Sequence, residues 1–273
     1  MNLSQAFESM LNNIRKESPL IHHITNYVTA NDSANAVLAL GGSPVMADAE
    51  EEVEEMVAFA SALVLNMGTL NSQRTHSILL AGKRANALGI PVILDPVGLG
   101  TTKLRQSLMA KILQEVSLTV IRGNLSEIMH LYDPSVVPRG VDSILSSGEG
   151  AEEIAKVLAQ RHHCTVAITG EFDVVSNGRV TYRIGNGTSH LSKITGTGCM
   201  SSSLIGLCCA SGAPPLHAAL LGLSIMGISG EIAGEGLQPG EGLGSFKVRL
   251  FDAFSHFTIK DYLERGKIYE VQE

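Results

Sequence analysis

Four short, mostly apolar runs recur along the chain, and they restrict its possible folds more than any other feature. They are Leu63–Asn66, Pro91–Asp95, Leu118–Arg122 and Thr165–Thr169. Runs of this length without strict alternation are typical of parallel strands that are covered on both faces. Because segments with helical spacing lie between them, the pattern predicts an α/β domain with three layers, α/β/α, around a central, mainly parallel sheet.

Further elements follow from the same spacing rules. Two more strands are predicted at Pro19–Thr25 and Ser43–Ala47. Helices are predicted at Ala30–Leu40, Asp48–Ala60, Thr69–Leu88 and Ala151–Arg161. The glutamates of Asp48–Ala60 are expected to form a solvated face. Asn177-Gly178 predicts a two-residue hairpin between Asp173–Ser176 and Arg179–Ile184. Several helices are expected after Cys199.

Composition and charge narrow the functional classes. The 273 residues are 44% apolar, which suffices for one large core. No linker or composition shift divides residues 1–273, so a single domain is expected. The net charge is −7, and no basic stripe is visible, which argues against nucleic-acid binding.

Cysteine usage and hydropathy indicate a cytoplasmic protein with no membrane association. The neighbours Cys208 and Cys209 are poor disulfide partners, and no CxxC spacing suggests zinc. The N-terminus has no apolar signal core. The most apolar region, Leu204–Ile228, is interrupted by proline and glycine, and its longest clean run is shorter than the ~18 residues of a membrane span.

Polar residues follow four of the predicted strands, at the edge of the sheet where open α/β domains bind ligands. These strand ends are Asn66-Met67-Gly68, Asp95-Pro96-Val97-Gly98, Arg122-Gly123-Asn124 and Thr169-Gly170-Glu171. Each places a glycine near the polar residue, which lets a ligand approach the backbone closely. Turn chemistry alone explains any one of them, whereas the repetition favours a ligand site.

The strongest local signal is the glycine-rich segment Thr195–Ser203, which is predicted to lead into a helix at Leu204–Ala210. Free N–H groups at a helix N-terminus attract anions, and Gly196 and Gly198 permit a tight turn around a phosphoryl group. A helix cap rich in small residues explains the pattern equally well. No GxxxxGK[ST] motif is present, and Gly185-x-Gly187 is too short for a dinucleotide loop.

Six segments in order along the chain resemble the hydroxyethylthiazole kinase family of thiamin salvage. They are HHITNYVTANDSANAVLALGGSPVMA at His22–Ala47, NMGTL at Asn66–Leu70, ILDPVGLG at Ile93–Gly100, IRGNLSE at Ile121–Glu127, VAITGEFDVVS at Val166–Ser176 and TGTGCMSS at Thr195–Ser202. The resemblance covers nearly the whole chain. It implies a ribokinase-like fold without a separate lid, and a homotrimer in which neighbouring subunits share active sites.

The resemblance also implies the reaction and its site. ATP would phosphorylate the hydroxyl of 4-methyl-5-(2-hydroxyethyl)thiazole with Mg²⁺ as the cofactor. Substrate contacts are expected from Met46, Gly196, Asn26 and Gly68, with Gly196 near the hydroxyl. Arg122 and Thr169 are expected to bind ATP. Asp95 and Glu127 fall in the magnesium–phosphate region.

Cys199 occupies the place where most ribokinase-like enzymes carry an aspartate base, in a G-x-G-D motif. A free thiol has a pKa near 8.5, so a few per cent is thiolate at neutral pH. The helix N-terminus should lower this pKa and nearby phosphates should raise it, and the sequence leaves the balance open. A purely capping role for Cys199 is the alternative.

Three other functions compete with this interpretation. Another small-alcohol kinase, such as a hydroxymethylpyrimidine kinase, would share the fold, although Cys199 and the setting of Asn26 and Met46 argue against it. A catalytically inactive thiazole-binding regulator would have no need for Arg122 and the two carboxylates. An ATP-dependent hydratase repair enzyme of the same superfamily would carry GTGD, whereas this chain has GTGC.

Overall fold

A computed structural model describes residues 2–135 and 150–272, and the nine strands in these ranges form one sheet. The strands are β1 Leu20–Ile24, β2 Ser43–Val45, β3 Ala62–Asn66, β4 Val92–Asp95, β5 Val120–Asn124, β6 Thr165–Thr169, β7 Asp173–Ser176, β8 Thr181–Ile184 and β9 Ile268–Glu270. Their order is β2-β1-β3-β4-β5-β6-β7-β8-β9. The first six are parallel, and β7, β8 and β9 add antiparallel to one edge.

Helices cover both faces of this sheet. They are α1 Leu3–Glu17, α2 Ala30–Ala39, α3 Val53–Val57, α4 Ser72–Leu88, α5 Lys103–Glu115, α6 Leu125–Tyr132, α7 Ala151–His162, α8 Thr197–Cys209, α9 Pro215–Glu235, α10 Leu243–His256 and α11 Ile259–Arg265. Helices α1, α2 and α8–α10 share one apolar cluster, onto which α11 packs, and α3–α7 share a second. The predicted three-layer α/β/α architecture is therefore confirmed.

Strand β3 shows why the short apolar runs form central strands. Its alternate residues Ala62 and Val64 belong to the first cluster, whereas Leu63 and Leu65 belong to the second. All five residues of the strand are buried. A strand covered on both faces needs apolar side chains at every position, so it shows no alternation in the sequence.

The predicted acidic helix Asp48–Ala60 is wrong in extent, because only Val53–Val57 is helical. The preceding residues are held against α4 instead. Arg74 Nη2 lies 2.7 Å from Asp48 Oδ2, and Ser77 Oγ donates to Asp48 O at 2.8 Å. The glutamates at positions 51, 52, 54 and 55 are exposed, which confirms the predicted solvated face.

The hairpin of β7 and β8 is confirmed, but its predicted two-residue turn is wrong, because Ser176 pairs with Thr181 and residues 177–180 form the turn. The Asn177 side chain accepts the N–H groups of Arg179 and Val180, both at 3.0 Å, which keeps those residues in the turn. Strand β9 was not predicted from the sequence. It is a three-residue edge strand with two exposed positions, so no apolar pattern marks it.

Helix α9, Pro215–Glu235, is long and apolar enough to cross a membrane by length and composition. Pro214 precedes the helix, whereas Pro215, Gly222 and Gly227 lie within it and do not end it. Most of the helix is buried, and it packs against α8 and α10 within the first apolar cluster. Its apolar character is that of a core helix.

Candidate active site

Helix α8 begins earlier than the sequence indicated, at Thr197 instead of Leu204. The glycine-rich segment therefore forms the first turns of the helix itself. Gly196 is its N-cap residue with φ +94°, and an added Cβ would lie 3.0 Å from Thr29 Cγ2. Within the described residues no side chain caps this helix, so its first N–H groups remain available to an anion.

The guanidinium of Arg122 lies against the first turn of α8. A Cβ on Gly198 would sit 2.6 Å from Arg122 Nη1 and 2.9 Å from Nη2, so only glycine leaves room for this contact. Nη2 donates a hydrogen bond to Thr169 Oγ1 at the end of the neighbouring strand β6. Arg122 is largely buried, and its Nε has no partner within the described part of the chain. A planar cation beside a helix N-terminus suits phosphate oxygens.

Asp95, at the end of β4, is fully buried within this arrangement. Its Oδ2 accepts hydrogen bonds from Asn66 Nδ2 at 2.9 Å and Ser202 Oγ at 3.0 Å, and Arg122 Nη1 lies 3.7 Å away. Burial raises the pKa of Asp95 to about 6, against the lowering effect of Arg122. Its Oδ1 has no partner among the described residues, so one hard oxygen remains for a ligand.

Glu127 occupies a capping box at the start of α6. Its Oε2 accepts the Asn124 N–H, while Asn124 Oδ1 accepts the Glu127 N–H, both at 2.9 Å. Its Oε1 accepts the Gly98 N–H at 2.9 Å and so ties the loop after β4 to α6. Both carboxylate oxygens of Glu127 therefore already hold backbone groups.

Cys199 lies in the first turn of α8, where two side-chain amides face its sulfur. Asn26 Nδ2 and Asn66 Nδ2 each lie 3.3 Å from Sγ. Burial and the negative charge of Asp95 raise the pKa of the Cys199 thiol, and hydrogen bonds from Thr29 and Asn26 oppose them. Burial is thus a cause that the sequence did not reveal, and it acts in addition to the opposed effects of the helix N-terminus and of phosphates.

Three of the predicted substrate residues lie close to Cys199. Asn26 is buried beside it, and a Cβ on Gly68 would meet Asn26 Cβ at 2.8 Å. Gly196 contacts Thr29, whose N–H and Oγ1 both donate to Asn26 Oδ1. The fourth residue, Met46, is half-buried in the segment after β2. That segment is anchored by His22, whose Nε2 lies 2.7 Å from Ala47 O.

A cleft of about 750 Å³ opens beside Arg122 and the N-terminus of α8. Its lining includes Arg122, Thr169 and Gly198, and none of the four predicted substrate residues. The structure thus places Arg122 and Thr169 at the cleft, and Asn26, Gly68 and Gly196 in a second group around Cys199. Asp95 lies between them, in contact with Arg122 on one side and with Asn66 on the other.

Several cleft residues had no clear signal in the sequence. They are Phe172, Asp173, Asn186, Leu191 and Met226. Phe172 lines the cleft and is 57% exposed, and it lies in the family segment Val166–Ser176, from which no role was assigned to it. Gly185 and Gly187 also line the cleft, although their short motif predicted no nucleotide loop. These residues are separated in the sequence and come together only in the folded chain.

Comparisons with known proteins agree over almost the full chain. The family model described as hydroxyethylthiazole kinase family matches residues 11–260. A hydroxyethylthiazole kinase of Alkaliphilus oremlandii is 56% identical over 271 residues, which cover 99% of this chain and 100% of that protein. The corresponding protein of Clostridium tetani is 44% identical over 273 residues, covering 98% and 99%.

Solved structures extend this comparison to the fold. A hydroxyethylthiazole kinase structure from Pyrococcus horikoshii has a TM-score of 0.87 at 39% identity, covering 98% of this chain and 100% of that chain. A pyridoxal kinase of Staphylococcus aureus in complex with ADP has a TM-score of 0.67 at 14% identity, covering 92% and 98%. The second likeness concerns the fold alone.

Proposed function

The chain belongs to the hydroxyethylthiazole kinase family, and we propose that it transfers the terminal phosphoryl group of ATP to the hydroxyl of 4-methyl-5-(2-hydroxyethyl)thiazole in thiamin salvage. Its ribokinase-like fold is shared with the pyridoxal kinase neighbours. The observation that carries the proposed site is the contact of Arg122 with the N-terminus of α8, beside the buried Asp95. Phosphoryl transfer requires such positioning and charge stabilisation.

Each group in the site has a distinct task in this proposal. Arg122 and Thr169 hold the phosphates of ATP in the cleft, and the N–H groups at the start of α8 face the transferred phosphoryl group. The bond from phosphorus to the thiazole alcohol forms as its bond to ADP breaks. The thiolate form of Cys199 receives the alcohol proton at Sγ and becomes the neutral thiol. Because the transition state of this reaction is loose, it requires little assistance from a base, so a small fraction of thiolate suffices.

The residues at the proposed magnesium site supply only part of the ligands of the ion. Within the described ranges, no group of three His, Cys, Asp or Glu side chains could enclose a metal ion. Asp95 offers its unpartnered Oδ1, whereas Glu127 has each oxygen engaged with one N–H. This suits Mg²⁺, which keeps several waters and uses one or two carboxylates together with substrate phosphates. The ion, when bound, would neutralise charge on the phosphates.

Substitution of the two carboxylates tests their roles separately. Asp95→Ala and Glu127→Ala should both weaken magnesium-dependent turnover. Each variant removes a carboxylate whose negative charge would attract the magnesium ion. The half-saturating Mg²⁺ concentration is the quantity to measure, together with thermal unfolding. Glu127→Gln is the matched variant for the capping box, because it keeps an oxygen acceptor for one backbone N–H. Wild-type rates at limiting Mg²⁺ in either alanine variant would contradict a metal role for that residue.

Met46 is proposed to contact the heterocycle. A methionine side chain is flexible and polarizable, so it can lie against a flat ring that contains sulfur. Met46→Ala should raise the KM for the thiazole by about tenfold and leave the KM for ATP within about twofold, since it removes uniform substrate binding. Met56→Ala, at another half-buried methionine, is the control. Equal increases in both KM values would indicate a folding defect.

A homotrimer with shared active sites is proposed as the functional assembly. The predicted substrate residues lie outside the 750 Å³ cleft. Next to Asn26, the side chains of Tyr27 and Val28 are 76% and 55% exposed. A neighbouring subunit over this segment would complete the acceptor pocket and cover both residues. Sedimentation equilibrium measures the assembly directly, and a monomeric yet fully active protein would contradict this proposal.

The proposed location is the cytoplasm, where the reducing environment suits the cysteines of the chain. All four are free, and Cys164, Cys208 and Cys209 are buried. Burial raises the pKa of Cys164 and of Cys209 to about 12, so neither thiol forms a reactive thiolate at neutral pH.

An assay of ADP release tests the proposed function as a whole. Hydroxyethylthiazole should support rapid ADP release, and hydroxymethylpyrimidine should support little. The opposite preference would identify the chain as another small-alcohol kinase. Calorimetric binding of the thiazole without any ADP release would instead identify an inactive binding protein.

A further inference from the structure

We infer that Asn66 is a positioning residue for phosphoryl transfer, because its side-chain amide holds both the Cys199 sulfur and the Asp95 carboxylate. The inference rests on the proposed function of those two residues. In the sequence, Asn66 is one of four polar strand ends, and no role was assigned to it. In the structure it is 1% exposed and lies at the end of β3, between the two groups.

The amide of Asn66 uses its full hydrogen-bonding capacity. Its Oδ1 accepts from the Gly68 N–H at 2.9 Å and from Asn26 Nδ2 at 3.0 Å. Its Nδ2 lies 2.9 Å from Asp95 Oδ2 and 3.3 Å from Cys199 Sγ. A primary amide has two N–H donors and an oxygen with two lone pairs, so all four positions are occupied.

The backbone fixes which end of the amide faces the reacting groups. The Gly68 N–H is always a donor, so it requires the oxygen of Asn66 on its side. Turning the amide around would direct the NH₂ group at that N–H and at the NH₂ group of Asn26. Only one orientation therefore satisfies the network, and in that orientation the NH₂ group points to Asp95 and Cys199.

Asn26 is oriented in the same way. Its Oδ1 accepts the N–H and the hydroxyl of Thr29 at 3.0 and 3.1 Å, so its NH₂ group faces Asn66 and Cys199. The sulfur of Cys199 thus receives two N–H donors whose directions are set by backbone groups. Ser202, one turn after Cys199 on α8, donates to the same Asp95 oxygen as Asn66. The network holds the sulfur and the carboxylate at a defined separation.

The consequence is a distinct task for Asn66 in catalysis. Small displacements of reacting groups reduce rates strongly, so a fixed pair of donors on Sγ favours turnover without contacting the substrate. A buried asparagine that only satisfies its own hydrogen bonds would contribute to stability alone. If Asn66 positions Cys199, its loss should lower kcat less when Cys199 is already absent. If Asn66 only stabilises the fold, its loss should have the same effect with and without Cys199.

Asn66→Asp is the first test, because it preserves the shape of the side chain and replaces the NH₂ donor with an oxygen. We expect kcat to fall by up to about 10²-fold, the size that complete loss of the proton acceptor would give, with the KM for ATP within about threefold. Asn66→Ala is the second variant, in case an extra buried carboxylate prevents folding. Asn86→Asp is the matched control, because its amide also pairs with backbone groups, at Ser117 O and Ser117 N.

A double-mutant cycle separates positioning from stability. Asn66→Ala should lower kcat by one factor in the wild type and by a smaller factor in the Cys199→Ala background. We expect the first factor to be at least about ten times the second, because residues in contact are energetically coupled. Thermal unfolding is measured for all four proteins. Equal fold-changes of kcat in both backgrounds, with the loss following thermal stability, would overturn the inference.

The cycle also distinguishes this inference from the proposed role of Cys199. If Cys199→Ala keeps the wild-type kcat, the role of Cys199 as a proton acceptor is wrong. The cycle is then repeated with Asp95→Asn, the other partner of Asn66. Non-additive losses in that cycle support positioning by Asn66 through the carboxylate, whereas additive losses overturn it.

Discussion

Replacing Arg122 with alanine should lower kcat/KM for ATP by about 10³-fold, which is the scale on which arginines and other charge-stabilising donors contribute to phosphoryl and acyl transfer. The substitution removes the planar cation that lies against α8 and contacts Thr169. It also removes the positive charge that opposes burial at Asp95, so the pKa of Asp95 should rise above about 6. Less of that carboxyl would then be ionised at neutral pH. Steady-state kinetics with varied ATP measure the loss.

Two further variants separate the charge of Arg122 from its geometry. Arg122→Lys keeps the charge and loses the planar fork. Gly198→Ala keeps Arg122 and displaces its guanidinium, because the added Cβ would lie within 2.6 Å of Nη1. Both variants should have a kcat/KM for ATP between that of the wild type and that of Arg122→Ala. Arg249→Ala, which breaks a partly exposed pair with Glu241, is the control for loss of an arginine. A wild-type kcat/KM in Arg122→Ala would contradict its proposed place at the phosphates.

The parallel strands were predictable because burial on both faces leaves a direct mark on the sequence. Strands β3 to β6 coincide with the four apolar runs to within two residues at either end. The polar residues after them were also identifiable, since the carboxyl ends of parallel strands meet at one edge. Arg122 and Thr169 were identified on this ground as strand-end residues, the family resemblance alone linked them to ATP, and their side chains contact each other.

The detailed organisation of the site could not be predicted in the same way. The network around Cys199 joins Asn26, Asn66 and Asp95, which are far apart in the chain, through individual side-chain hydrogen bonds. No periodicity records such contacts. The start of α8 was also predicted too late along the chain, because a contact in the folded protein favours glycine there. Glycines normally disfavour a helix, whereas here Gly198 makes room for the Arg122 guanidinium.

Cys199→Ala should slow turnover by roughly 10²-fold, within the usual range for a general base, while the binding of both substrates changes little. Burial and Asp95 raise the pKa of this thiol above its ordinary value, so the thiolate is scarce at neutral pH. If the thiolate accepts the proton, kcat of the wild type should continue to rise with pH beyond about 8.5, where an ordinary cysteine titrates. The alanine variant should show no such rise. A pH profile of kcat for both proteins measures this difference.

Cys199→Asp is the sharper variant, because it would create the G-x-G-D arrangement that the family resemblance implies for most ribokinase-like enzymes. The two N–H donors from Asn26 and Asn66 suit a carboxylate as well as a sulfur, whereas burial and the charge of Asp95 oppose its ionisation. An aspartate starts from a reference pKa of about 3.9, so it should still be ionised to a larger extent than the thiol at neutral pH. We therefore expect the aspartate variant to be clearly more active than the alanine variant. Its kcat should also level off at a lower pH than that of the wild type.

Two other outcomes would assign Cys199 a different role. A covalent mechanism requires the sulfur itself to bond to phosphorus, so both variants would be inactive and the wild type would yield a trappable phosphocysteine. If the alanine and aspartate variants both turn over at rates near that of the wild type, Cys199 only occupies the first turn of α8. Catalysis would then depend on the proposed roles of Arg122 and the helix N-terminus in positioning the phosphoryl group and stabilising its negative charge, without a protein base.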